Sequence, residues 1–462
     1  MMDYKKTIIV VGSSLVFSSL TGSLAVAKVS EKKASELGGD TLTWAGAERA
    51  GNNDGTIPAY TGGFDNNKIP AGWKSGMPYT NPFPEDKILF TINASNVDQY
   101  ADKLAPGTIA MLKAYPDTNY LHVYQTRRTA TATAKAKVDI KHNASNAILA
   151  PRGAGVVNMR GSTPFPIPNS GVEVVWNHVI RWRGGQRVIK NEASFAPQID
   201  GSYSKATRTI NFFFNPEFKT GGPRDDIIFF YTAKLNSPSR LTGEIGLLHE
   251  TANQSAHPRI VWKYYTGQRR VRRAPDAGYD TPSSDADGLF VSDQVDGING
   301  AINERFSWEL KGKREMYIPY NNYDMNQSDI KYSDLIAKGH VNPKWTRWEL
   351  HRVWVIEGTL REGSRHVYGR RVLFSDEDSW QVSIHDMYDT KQNLWRTMDM
   401  FGTIFWDASM HWVQAYASYD LQAQRYYLRG VINQEEPFVF DQPGSKGISG
   451  YTPAALRRMG RR

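Results

Sequence analysis

The stretch from Pro343 to Met400 constrains the fold of this chain more than any other. Three polar clusters rich in turn formers interrupt it: Arg361-Glu362-Gly363, Ser375-Asp376-Glu377-Asp378 and Asp389-Thr390-Lys391-Gln392. The four runs between them are β-branched and aromatic and alternate with period two. The clearest puts Trp380, Val382 and Ile384 on one face and Gln381, Ser383 and His385 on the other. Short connections make neighbouring strands antiparallel, so the stretch predicts a meander. Its first run, Arg347 to Leu360, is about twice the usual strand length. A strand that long belongs to a twisted, coiled sheet wrapped around something, either the chain's own helices or a ligand.

The rest of the chain reads as additions to that sheet. Further strands are predicted at 173–183, 207–214, 226–234, 259–265 and 306–318, for about nine to twelve in all. Residues 28–94 are rich in Gly, Pro and Asn and predict an irregular arm lying across another surface. A helix is predicted over 95–114, capped by Ser95 or Asn96, interrupted at Pro106-Gly107 and closed by Pro116. Residues 129–170 carry little signal. The acidic, Gly-rich loop 274–305 is a candidate mobile cover. The tail 437–462 is basic and ends in a short helix or a disordered end. The fold class is mainly β with α: a large curved antiparallel sheet, its concave face covered by helices and long loops. The sheet domain spans 95–436.

Residues 1–27 have the form of a cleavable signal peptide. Lys5 and Lys6 are the charged region, an apolar run follows, and Ala25-Val26-Ala27 fits the cleavage rule. The expected location is a bacterial periplasm. The chain has no Cys, which excludes disulfides and thiolate metal sites. Its formal charge is +9, near +8 once Asp3, Lys5 and Lys6 are removed. For an exported protein this charge points away from nucleic acid and towards an anionic membrane surface, or simply to a basic, soluble exterior.

Catalytic signatures are missing. No nucleophile elbow, Walker loop or dinucleotide fingerprint occurs, so no cofactor is expected. His249-Glu250 begins a zincin-like pattern, but position 253 is Asn, and no metal site is expected. Asp376-Glu377-Asp378 reads as solvated carboxylates of a hairpin turn. Arg269, Arg270, Arg272 and Arg273 follow a predicted strand directly. Four guanidiniums in five positions belong at a sheet rim, where they are either solvated or bind phosphate or carboxylate groups. Trp176, Trp182, Trp262, Trp308, Trp348 and Trp354 fall in predicted strands, with Tyr264 beside them. Such residues line either a packed core or an apolar cavity.

Several long segments together resemble domain-of-unknown-function family 1329, exported proteins of Gram-negative bacteria. They are AGNNDGTIPAYTGG, PFPIPNSGVEVVWNHVIRWRG, YYTGQRRVRRAPDAGYDTP, KGKREMYIPYNNY, RWELHRVWVIEGTLREGSRHVYGRRVLFSDEDSW and MYDTKQNLWR. The resemblance runs from about Leu42 to Glu436. The family is similar to the lipoprotein carriers LolA and LolB, which implies an unclosed β-barrel whose concave apolar face takes acyl chains. It also implies association with a resistance-nodulation-division-type transporter and an outer-membrane barrel protein. It supplies no catalytic residues. The expectation is therefore a non-enzymatic periplasmic carrier for a lipid or other hydrophobic small molecule. The seven aromatic residues would be its cavity wall and the four arginines its rim for headgroup or membrane. The alternatives are a scaffold with a self-filled interior and, third, an envelope hydrolase built on Asp376, Asp378, His178 or His351.

Overall fold

The computed structural model describes residues 29–184, 187–215, 226–274, 279–299, 305–436, 439–441 and 447–461. The expected signal peptide lies outside these residues. In chain order the strands are β1 (Phe90–Asn93), β2 (Tyr120–Tyr124), β3 (Ile148–Leu149), β4 (Val156–Val157), β5 (Arg187–Phe195), β6 (Lys205–Phe214), β7 (Ile227–Ser237), β8 (Ile245–Thr251), β9 (Ile260–Tyr265), β10 (Arg270–Arg273), β11 (Phe306–Pro319), β12 (Trp348–Leu360), β13 (Arg370–Asp376), β14 (Val382–Tyr388), β15 (Leu394–Phe405), β16 (Met410–Asp420), β17 (Arg425–Val431) and β18 (Val439–Asp441).

Among the described residues sixteen strands form one sheet, more than the nine to twelve expected. Its spatial order is β11-β12-β13-β14-β15-β16-β17-β5-β6-β7-β8-β9-β10, with β1–β2 and β18 attached alongside. Every ladder in it is antiparallel except β2 against β12. Among the described residues no ladder joins β11 to β10, so the sheet is open. The expected meander is present as β12 to β15, and its long first strand has 13 residues.

Over β12 to β17 both faces of the sheet are covered, which accounts for the near-continuous burial there. All residues of β14 and of β16 are buried. On one face lie Trp44, Tyr60, Phe64, Tyr79 and Phe83 of the N-terminal arm, which opens with a short helix α1 (Glu31–Ser35), together with a helix α3 (Ala134–Asn146), a helix α4 (Gly171–Ile180) and residues 279–299. The other face packs on a helix α2 (Pro106–Ala114), the segment from Tyr320 to Trp345 and the C-terminal helix Pro453–Gly460. Pro106 does not interrupt a helix. It opens α2 at a position where its missing N–H costs nothing, after a separate 3₁₀ turn, Val97–Lys103.

Residues 173–183 are a correction. They were expected as a strand because of their β-branched and aromatic content, but Gly171–Ile180 is helical. Burial all round, rather than propensity, decides it: every residue from Val174 to Ile180 is buried. The start signal was in the sequence. Ser170 is the N-cap and Glu173 stands three residues on, and the Glu173 carboxylate accepts from the backbone N–H groups of Asn169 and Ser170. Trp176 therefore sits on a helix.

The loop expected as a mobile cover is an acidic strap. Its described part, 279–299, buries Ala286, Phe290 and Ile298 against the sheet. Its carboxylates pair with guanidiniums of other elements: Asp285 with Arg208, Asp293 with Arg371, and Asp296 with Arg181 and Arg183.

Candidate functional site

A cavity of 320 Å³ lies between the strap and the sheet strands β6 to β9. Register explains its wall. Residues directly opposite in a ladder point to the same face. Phe212 stands opposite Tyr231, Tyr231 opposite Leu248, Leu248 opposite Val261, and Gly246 opposite Lys263. All of these line the cavity, together with Val179 of α4 and Phe290, Val295 and Ile298 of the strap. At Gly246 a β-carbon would meet nothing within 4 Å, so space stands open above that residue. Glu244, Lys263, Pro282 and Ser284 are the exposed lining residues and mark the mouth.

Four arginines also line it: Arg183, Arg208, Arg259 and Arg429. Each is tied to carboxylates. Arg208 pairs with Asp285 and, at 3.6 Å, with Glu192, while Arg429 donates to Glu192 at 2.7 Å. Arg259 pairs with Glu250, and Arg183 with Asp296 at 3.0 Å. The Arg183 guanidinium also faces the rings of Phe214 and Phe229, at 4.7 and 5.1 Å. Burial alone would raise Asp285, but Arg208 and the hydroxyls of Ser194 and Tyr427 hold it well below the usual carboxylate range. Burial pushes the Arg183 guanidinium the other way, down to about 10, and neighbouring Arg181 adds to the shift.

None of the seven aromatic residues expected as a cavity wall is among the lining residues of this cavity. Trp176 is buried in α4, and its indole donates to the Gly153 carbonyl at 2.8 Å. The Trp182 indole donates to the Ser409 carbonyl at 2.9 Å. Trp262 and Tyr264 point to the opposite face from Val261 and Lys263 and pack beneath the C-terminal helix. Trp308 packs over Gly358, Trp348 lies in the core around Leu350, and Trp354 stacks on Trp380 at 6.2 Å. Strand parity was legible, but with both faces covered it does not say which face is hollow. The lining arginines come from four separate segments, and no sequence spacing joins them.

The four expected rim arginines are at an edge. Arg269 immediately precedes the edge strand β10 in a left-handed conformation, and Arg270, Arg272 and Arg273 lie on the strand, exposed. Arg272 stands opposite Lys263 and Arg270 opposite Tyr265, so both share the cavity face beside its mouth. Among the described residues these four arginines have no carboxylate partner.

The Asp376-Glu377-Asp378 turn corrects the expectation of solvated carboxylates, because all three are buried. Asp378 accepts two 2.8 Å bonds from Arg128. Glu377 takes Lys313 at 2.8 Å, and Asp376 accepts from the Ser379 backbone at 2.9 Å. Burial and the charge of Asp378 raise Asp376 and Glu377 to about 6 each. Among the described residues His351, Asp376 and Asp378 offer three ligand-type atoms within 4.8 Å of one another, close enough to meet on one cation. The bidentate Arg128 on Asp378 opposes a cation there. His178 is a buried neutral ring, pushed down to about 3 by burial and by Arg181, and it packs against the Trp380 and Asp296 carbonyls.

A family model described as a protein of unknown function, DUF1329, matches residues 91–457. The chain belongs to the DUF1329 family. This DUF1329 chain is 43% identical over 459 residues to an uncharacterized protein of Pseudomonas aeruginosa, covering 99% of each. Among solved structures it is similar to a DUF1329 family protein from Desulfovibrio piger, at 13% identity, TM-score 0.40, over 59% of this chain and 92% of that one. It is also similar to a LolA superfamily protein from Nitrosomonas europaea, at 12% identity, TM-score 0.35, over 62% and 98%. No described helix is long and apolar enough to cross a membrane.

Proposed function

We propose that this DUF1329 protein is a non-enzymatic binding protein of the bacterial envelope that takes a hydrophobic molecule into the cavity between β6–β9 and the strap. The cavity is the observation that carries the reading. Its size is at the lower end of ligand pockets, about 300–1,000 Å³, and apolar side chains dominate its wall. At roughly 30 Å³ for a water-sized group, it takes about ten such groups. Each buried methylene contributes about 0.8 kcal/mol, so a ten-carbon chain brings about 8 kcal/mol before association costs. That limits a single chain to about micromolar affinity, weak enough for handover. The exposed arginines of β10 beside the mouth suit approach to an anionic membrane or an acidic protein partner. A transporter or outer-membrane barrel, as the family resemblance implies, would be that partner in the periplasm.

The test fills the cavity. Gly246→Trp places an indole where the backbone leaves open space. Delipidated parent protein is expected to take up the neutral probe N-phenyl-1-naphthylamine. Gly246→Trp, at unchanged melting temperature, is expected to lose at least about tenfold in affinity. Equal uptake by both proteins would overturn the reading. A second reading, a scaffold with a filled interior, is favoured by the burial of every residue of β14 and β16. It becomes the better one if the parent takes up no probe.

A further inference from the structure

The cavity holds more positive charge than its own carboxylates balance. The four lining arginines and every described residue ion-paired with them form a closed set. Its cations are Arg181, Arg183, Lys190, Arg208, Arg259 and Arg429, and its anions are Glu192, Glu250, Asp285 and Asp296. Six cations against four carboxylates leave two positive charges. Five of the six cations are less than a tenth exposed, and the Arg259 side chain is 13% exposed. Charge taken out of water without a counter-ion is costly, and arginine cannot escape by releasing its proton near neutral pH.

The surplus is visible in the geometry. Arg181 and Arg183 share one carboxylate, Asp296. Arg208, Arg429 and Lys190 share Glu192, with only Asp285 in addition. Among the described residues the buried Nε atoms of Arg183 and Arg208 have no hydrogen-bond partner, and the Arg208 Nε stands 3.6 Å from a Glu192 carboxylate oxygen. Both residues line the cavity. Apolar wall lies between them: Phe212 packs against Tyr231, which accepts from Arg429, and against Phe229, which Arg183 faces.

We infer that the natural ligand is an anionic amphiphile whose carboxylate or phosphate head enters the cavity and pairs with the interior arginines, while its chain packs on Phe212, Phe229, Leu248 and Val261. This deepens the carrier reading and rests on it. It differs from a headgroup held at the exposed rim, because the counter-charges are inside.

The experiment displaces N-phenyl-1-naphthylamine from the delipidated full chain with three ligands of one chain length: dodecanoate, dodecyl phosphate and dodecanol. At least one of the two anions is expected to bind about tenfold or more tightly than the alcohol, and the better one identifies the head chemistry. The preference is expected to persist in the mouth variant Lys263→Gln/Arg272→Gln and in high salt, since buried charges are screened little. Dodecanol binding as tightly as both anions would overturn the inference and leave the carrier reading standing. Loss of the preference in the mouth variant would also overturn it, by moving the head to the surface. Failure to bind even the neutral probe would sink the carrier reading and the inference together.

Discussion

The two ends of this sheet handle buried charge in opposite ways. Around the Asp376-Glu377-Asp378 turn, carboxylates crowd one another, and burial raises Asp376 and Glu377 to about 6. Around the cavity, cations crowd one another, and burial lowers Arg183 to about 10 and Lys190 below its usual value. Carboxylates have a cheap remedy, since they take up a proton within the physiological range. Guanidiniums do not, and they need an anion. The acid-rich end is also the filled one, where the arm packs down on the turn. The base-rich end is hollow. A surplus that a proton can cancel is thus sealed in the core, and one that only a ligand can cancel faces the cavity.

The largest expected effect tests the sealed end. Arg128 gathers Asp378 and the carbonyls of Glu48, Arg49, Ala50 and Pro58. Arg128→Met leaves buried carboxylates unpaired and is expected to cost about 3–5 kcal/mol in urea unfolding. Arg183→Met removes a cation that is in surplus and is expected to cost clearly less. Equal costs would break the comparison.

A smaller effect concerns pH. The Asp376 carboxyl rises from 3.8 to about 6, through burial first and Asp378 second. Between those values the folded chain keeps a proton that the unfolded chain has lost. This group therefore costs stability progressively as pH rises through that window. Buried His178, His385 and His411, lowered to about 3, work in the opposite sense, because the unfolded chain binds protons first as pH falls below about 6.5. The clean readout is a difference. Relative to the parent, Asp376→Asn is expected to gain about 1–3 kcal/mol between about pH 4.5 and 7.5. A flat difference would mean that Asp376 is ionised throughout and that the sealed end carries no acid surplus.

The smallest effect lies at the edge of the hollow end. Arg270→Gln/Arg272→Gln is expected to leave the melting temperature unchanged, because both side chains are exposed and have no carboxylate partner among the described residues. Sedimentation with vesicles containing phosphatidylserine should show about tenfold weaker binding. Unchanged vesicle binding would confine the role of basic charge to the interior.

How much of this was readable in advance differs between the same two regions. The meander was legible because its turn clusters and alternation are local signals, and β12 to β15 fall where they were expected. The burial of its second turn was not. The partner of Asp378 is Arg128, 250 residues away, and nothing near the turn announces it. The helix α4 was misread although Ser170 and Glu173 carried its start signal, because Val174, Val175 and Trp176 outweighed them as strand formers. The tryptophans were expected in strands as a cavity wall; Trp176 sits on a helix instead, none of the seven aromatic residues lines the cavity, and strand parity cannot separate a hollow face from a filled one. The arginines of the cavity sit one or two to an element, each unremarkable alone, and only the three-dimensional sheet order assembles them.

The arm's attachment to the turn also bears on how the chain reaches this structure. The Glu48 backbone N–H donates to the Glu377 carboxylate across 329 positions of sequence. Until that turn exists, the carbonyls around Glu48 and Pro58 have no guanidinium held in place to receive them, because Arg128 itself is fixed by Asp378. Contacts of such separation form slowly, since loop closure must precede any gain. The arm around Glu48 is therefore expected to be among the last segments to settle, which amide exchange during refolding would show as late protection of the Glu48 N–H.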